Sequence, residues 1–160
     1  MDIKAVNIKV PKETNVIIGQ SHFIKTVEDI YEALIGSVPG ILFGLAFCES
    51  SGPCLVRHSG NDPELEKIAS ENALNIAAGH SFIILIKNAY PINVLNSIKN
   101  LSEVCNILCA TANPIQVILA ETDMGRSILG VVDGYKAKQI EKENDVEDRK
   151  KLLRQIGYKL

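Results

Sequence analysis

Apolar residues recur along this chain at two spacings, and the change from one to the other marks its elements. Val6–Val10 alternates apolar with polar positions and predicts a strand that Pro11 ends. Val16–Ile18 predicts a second strand, closed by the turn-like Gly19-Gln20-Ser21. From about Lys25 to Ile35 the spacing becomes helical, with Val27, Ile30, Tyr31, Leu34 and Ile35 on one side and Gly36–Gly40 as the stop. Ile41–Cys48 is a buried strand, Glu49–Pro53 a turn, and Cys54–Val56 a short strand. Pro63–Ala78 is the clearest helix: Leu65, Ile68, Ala69, Asn72, Ala73, Ile76 and Ala77 trace one face, and Gly79 is a natural C-cap. Ser81–Ile86 is continuous in hydrophobicity from Phe82 on, which predicts a central strand. Ile92–Leu101 reads as a short helix. Val104–Ala110 and Val117–Ala120 read as strands around a turn at Ala112-Asn113-Pro114, and Ile128–Val132 as the last strand. Gly134–Asn144 is polar and the weakest stretch for order. Asp145–Ile156 is a charged helix with a sparse apolar side, suited to loose packing or to a partner subunit.

Strands alternate with helices, and some strands also follow one another. That order predicts an α/β fold: one domain over residues 1–160, a layered sandwich with a mixed β-sheet and flanking helices. A chain of 160 residues buries one proper core. A net charge of −2 and the absence of Trp argue against a nucleic-acid partner. No apolar run is long enough for a membrane span, and Met1-Asp2-Ile3-Lys4 is not a signal-peptide start, so the expected location is cytoplasmic. Cys48, Cys54, Cys105 and Cys109 lack the spacing of a zinc knuckle; Cys48, Cys105 and Cys109 lie in apolar segments and read as buried, reduced thiols. The three histidines are scattered, so no metal site is indicated.

Chemistry-bearing residues gather where predicted strands end. Arg57-His58-Ser59-Gly60-Asn61-Asp62 runs from a strand into a helix. Gly60 permits a positive φ or a close backbone approach, Asn61 and Asp62 suit an N-cap, and Pro63 suits the first helical position. Such a helix start favours phosphate; Arg57 adds charge and His58 a proton acceptor or nucleophile. Ordinary capping accounts for the same residue types. Gly19–Thr26 repeats the arrangement, with His22 just before a helix and Lys25 one turn on. There an imidazole that attacks phosphorus would have a cation beside it, whereas a plain capping histidine would look the same. His80, Asn93, Thr111, Asn113 and Glu49 also sit at element ends, where caps and turns are the commoner use. Arg126 can clamp an anion or pair with Glu121 or Asp123. Neither GxxxxGK[ST] nor GxGxxG occurs, so a P-loop enzyme is not supported.

The tracts Gly19–Asp29, Phe43–Glu49, Gly60-Asn61-Asp62, Ala78-Gly79-His80, Pro91–Asn96, Cys109–Pro114 and Leu129–Gly134 resemble the adenosine-specific kinase family. The resemblance covers about Val6 to Tyr158. One departure is Gly125-Arg126-Ser127, where Gly-Arg-Gly is expected. The resemblance implies a compact α/β sandwich, adenosine or AMP as ligand, a phosphohistidine, and a homo-oligomer, trimeric or hexameric. It favours His22 as the phosphorylated residue, then His58, then His80, and assigns adenosine more loosely to Asn61, Asp62, Asn93, Thr111 and Asn113. With Lys25 and Arg57 neutralising charge and Asp62 as candidate base, the first reading is a phosphotransferase that makes AMP from adenosine. Mg²⁺ is ordinary for such chemistry, although no carboxylate cluster marks a site for it. The alternatives are a non-catalytic adenosine or AMP sensor and a structural oligomer whose polar loops are merely caps.

Overall fold

Two antiparallel sheets and four helices form the chain, described from Met1 to Leu160 by a computed structural model. In chain order the elements are β1 (Asp2–Asn7), β2 (Asn15–Ser21), α1 (Thr26–Ser37), β3 (Leu42–Cys48), β4 (Val56–Gly60), α2 (Pro63–Ile76), β5 (Ser81–Lys87), α3 (Pro91–Lys99), β6 (Val104–Thr111), β7 (Ile115–Glu121), β8 (Arg126–Asp133) and α4 (Glu143–Gln155). The larger sheet has the order β4-β3-β5-β2-β6 and the smaller β1-β7-β8. The layered α/β sandwich is therefore as expected, and β5, apolar from Phe82 to Ile86, is the central strand.

The sheets are not of mixed direction. Every ladder is antiparallel, and the one parallel pairing is an isolated bridge from Ala78 to Arg126. The alternation of strand and helix does produce parallel strands, but each crossover skips a position. Both β2 and β3 run antiparallel to β5, so α1 joins two parallel strands with β5 between them. In the same way α2 spans β4 to β5 across β3, and α3 spans β5 to β6 across β2. These are split β-α-β units, in which an antiparallel strand fills each gap.

Strand pleating gives the larger sheet two apolar faces. Ile17, Phe43, Leu45, Phe47, Ile84 and Ile86 pack against Ile30 and Leu34 of α1 and Val94 and Ile98 of α3. The intervening residues, among them Val16, Ile18, Ala46, Ile83 and Leu85, meet Leu65, Ile68, Ala69, Ala73 and Ile76 of α2 and the β7 residues Val117 and Leu119. Buried Asn72 ties α2 to the β1–β2 connection, accepting from the Lys9 N–H at 2.9 Å and donating to its carbonyl at 2.8 Å. This interleaved core positions the strand ends.

Four local readings change. The first strand is displaced towards the N-terminus, because pairing of Asp2–Asn7 with Gln116–Glu121 of β7 outweighs the local alternation of Val6–Val10. The cap of α2 is Ala77, in the left-handed region at φ 48°, rather than Gly79. Cys105 is exposed, because β6 is an edge strand with one uncovered side. Arg57, His58 and Ser59 belong to β4 rather than to a loop: an outer strand paired on one side can carry polar side chains. No helix is long and apolar enough to cross a membrane.

Candidate functional site

The candidate site is built at one end of the larger sheet, where β2 and β3 finish and β4 begins. Strand β4 is its backbone. Arg57 pairs in register with Phe47 and points to the α1 side, while His58 pairs with Ala46 and points to the α2 side. Consecutive strand residues face opposite ways, so one edge strand supplies a cation to one face and an imidazole to the other.

Two glycines bring α2 onto this strand. Gly44 and Gly60 are register partners. A Cβ on Gly44 would stand 2.1 Å from the Glu66 nitrogen, and one on Gly60 would stand 2.5 Å from the Phe43 oxygen. Gly60 is thus used for close approach. The first turn of α2 rests directly on β3, capped by Asp62, whose Oδ1 accepts from Leu65 N–H at 3.0 Å. Seated there, Glu66 reaches His58: the Nδ1 to Oε1 distance is 2.7 Å. A carboxylate can only accept, so in the neutral ring this contact makes Nδ1 the N–H donor and Nε2 the lone-pair nitrogen, on an imidazole whose side chain is 55% exposed.

On the α1 side, Arg57 donates from Nη2 to Glu49 Oε1 at 3.0 Å, and Leu55 N–H donates to Glu49 Oε2 at 3.0 Å. The Leu55 N–H, then Arg57, holds the Glu49 carboxyl below its ordinary value. Arg57 Nε is buried with no partner, an unspent N–H donor. Lys25 pairs with Asp29 one turn along α1. That pairing raises Lys25 and lowers Asp29 from their ordinary values. Lys25, Arg57 and His58 line one groove of about 610 Å³, with Ile24, Val27, Leu55 and Val56 as its apolar walls. Leu55 and Val56 also border a second cavity of about 620 Å³, reached by Glu49, Gly79, Arg126 and Ser127. Two cations, an oriented imidazole and an adjoining cavity of nucleoside size suit capture of a phosphoryl group next to an organic acceptor.

The other expected residues fall elsewhere or have local duties. His22 is exposed just beyond β2, its N–H on the Glu103 carbonyl at 3.1 Å. It does not cap α1, which starts at Thr26. His80 adopts a positive φ of 62°, donates its N–H to the Cys48 carbonyl at 2.7 Å and stacks its ring on Phe47. Arg126 binds Glu121 and the Asn75 carbonyl, each at 3.0 Å, while lining the second cavity. Ser127 lies in β8 without a positive φ, so serine fits where glycine was expected. Asn61 is consumed as a pin, accepting from Phe43 N–H and donating to the Ile41 carbonyl, both at 2.8 Å. Asn93 accepts the Tyr90 N–H at the start of α3. Thr111 Oγ1 accepts the Asn113 N–H, and Asn113 donates to Asp133. Register places Asn93, Thr111 and Asn113 at the far end of the sheet, roughly 20 Å along its strands from the groove. There Asn113 and Tyr90 border a separate cavity of about 710 Å³. No group of three or more His, Cys, Asp or Glu side chains is placed to hold a metal ion.

Sequence reasoning missed Glu66 and Glu103 and gave Glu49 no partner. A Glu in the first turn after an Asn-Asp-Pro cap was a visible signal for Glu66, but its target depends on helix–strand seating.

Residues 6–159 match the family described as adenosine specific kinase. The crystal structure of the PH1918 protein from Pyrococcus horikoshii OT3 shares 52% sequence identity and a TM-score of 0.96, covering 99% of this chain and 98% of that one. No curated protein gives a significant match.

Proposed function

The chain belongs to the adenosine-specific kinase family, and from that premise we propose that it transfers a phosphoryl group to adenosine through a phosphohistidine at His58. The observation that carries this choice is the 2.7 Å contact between His58 Nδ1 and Glu66 Oε1. A carboxylate on Nδ1–H orients the ring, strengthens Nε2 as a nucleophile and stabilises the cationic ring that forms on attack. The exposed His22 has no such partner.

In the first step Nε2 attacks the terminal phosphorus of a phosphoric anhydride donor. An N–P bond forms and a P–O bond breaks, and the departing phosphate keeps that electron pair. Arg57 and Lys25 neutralise charge on the phosphoryl oxygens. In the second step a ribose hydroxyl of adenosine, lodged in the adjoining cavity, attacks phosphorus. The N–P bond breaks, its pair returns to Nε2, the hydroxyl proton leaves to water, and the product is AMP. Arg126 and Ser127 are the proposed contacts for the nucleoside. The proposal extends to self-association as a trimer or hexamer in the cytoplasm. Helix α4 buries none of its residues and leaves Leu152 and, at its C-cap, Ile156 each 53% exposed, an apolar side that a second copy would cover.

The test is intact mass in mildly basic buffer after incubation with the donor, repeated in acid, followed by AMP assay with adenosine. Acid-labile phosphate is expected on the wild type and on His22→Ala, with none on His58→Ala. Glu66→Ala should slow incorporation by about 10²-fold, in the range found for loss of general base support. Phosphate retained on His58→Ala and lost from His22→Ala would move the reaction to His22. Tight adenosine binding without AMP, across several donors, would make the protein a sensor.

A further inference from the structure

One buried ionisable side chain takes no part in that mechanism. Glu103, just ahead of β6, is 3% exposed, and its Oε1 meets no donor. It lies at the groove end of the sheet, where its carbonyl accepts the His22 N–H. Its carboxyl neighbours that of Asp29, and Asp29 in turn pairs with Lys25, a wall of the groove. An ionised carboxylate buried against another carboxylate is costly, and a shared proton removes most of that cost.

We propose that Glu103 is a positioning residue: as the neutral acid it donates its proton to Asp29 and fixes the Asp29–Lys25 pair that presents the Lys25 ammonium beside Arg57 and His58. For its catalytic consequence this rests on the phosphoryl-transfer reading above. Direction supports the proton's place. Burial pushes the Glu103 carboxyl above its ordinary value, Asp29 pushes the same way, and Lys25 opposes. Asp29 is held low, chiefly by Lys25. The neighbouring charges are Lys25 and Asp29 on α1, with Glu32 acting on Lys25 from the next turn; His22 contributes its main-chain N–H, and the Cys105 thiol approaches the Glu103 carbonyl at 3.8 Å. When Glu103 ionises, the pair gains a negative charge. Two carboxylates then compete with incoming phosphate for the Lys25 ammonium, so anion capture weakens as pH rises.

Two measurements on the full chain test this. Infrared titration of wild type and Glu103→Gln should show a protonated-carboxyl band that persists above the ordinary carboxylate range in the wild type and is missing from the variant. Identical spectra would overturn the proposal. Calorimetry with inorganic pyrophosphate should then show about a tenfold loss of affinity in Glu103→Ala, the size of one charge-assisted contact. Rescue is expected in Glu103→Gln, whose amide donates to Asp29 without titrating, and its affinity should lack the wild type's extra decline with pH. In a Lys25→Ala background, Glu103→Ala should cause no further loss. Wild-type affinity in Glu103→Ala, or a loss that persists without Lys25, would refute positioning through Lys25. If these results hold while adenosine yields no AMP, the kinase reading fails and the positioning role stands.

Discussion

Gly44→Ala tests whether the seating of α2 creates the site. An added Cβ would lie 2.1 Å from Glu66 N, 2.2 Å from Leu65 C and 2.4 Å from Glu66 Cα. All three are backbone atoms inside a helix, so no side chain can swing away. Ordinary contact begins at 3.4 Å, and α2 must therefore lift by at least 1.3 Å. Overpacking costs about 1–3 kcal/mol. Here the upper end applies, because the lift also loosens Leu65, Ile68 and Ala69 from the sheet. For a chain of this size about 3 kcal/mol lowers the Tm by roughly 10 °C. The same displacement stretches the His58–Glu66 contact from 2.7 Å to about 4 Å, beyond hydrogen-bonding reach. Urea unfolding and the phosphate-incorporation assay should both register the change. Gly130→Ala is the control, since nothing lies within 4 Å of its Cβ position and its φ is not positive. It should leave both measurements near the wild-type values. A Gly44→Ala protein with wild-type stability and wild-type phosphate incorporation would refute the seating argument.

Asn61→Ala should cost about 2–3 kcal/mol in urea unfolding, because it orphans the Phe43 N–H and the Ile41 carbonyl; once folded, the variant should bind adenosine as the wild type does. Glu103→Gln should raise the Tm at neutral and alkaline pH. A carboxyl whose folded value lies above its ordinary 4.5 gives stability that is complete below 4.5 and is lost as pH rises through the folded value, so the gain over wild type should vanish in acid. Iodoacetamide mapped by peptide mass should label exposed Cys54 and Cys105 and spare buried Cys48 and Cys109 in the native protein. Burial, reinforced by Asp133, pushes the Cys109 thiol up to about 11, so it should remain unlabelled even in mildly alkaline buffer.

The parts of the fold legible in the sequence are those that local spacing determines. The apolar stripe of Pro63–Ala78 gives the buried face of α2 nearly residue for residue, because one helix covers one sheet face. The uninterrupted Ser81–Ile86 gives the central strand, because both its faces are covered. Strand partners were not legible. Nothing local says that β5 inserts between β2 and β3, and that insertion makes the ladders antiparallel. The site was legible as an inventory: Lys25, Arg57 and His58 stood among the candidates, and the groove unites them. Their partners were hidden. Glu66 and Glu103 look like ordinary helix and loop acids until register sets one against His58 and the other against Asp29.

The polarity that made Arg57–Ser59 read as a loop also explains why β4 suits the site. A central strand would bury both faces and exclude an arginine and an exposed histidine. A loop would expose both but would not fix their directions. An edge strand does both: its ladder to β3 fixes register, so Arg57 must face α1 and His58 must face α2. Each side chain then finds its orienting carboxylate on a different element, Glu49 after β3 and Glu66 in α2. A one-residue slip of β4 would exchange the two faces, turning the imidazole towards α1, away from Glu66, and the guanidinium towards α2, away from Glu49. The Gly44–Gly60 pair resists that slip. Only this register stacks two residues without Cβ beneath the first turn of α2, so the contact that seats the helix also fixes which side chain Glu66 meets.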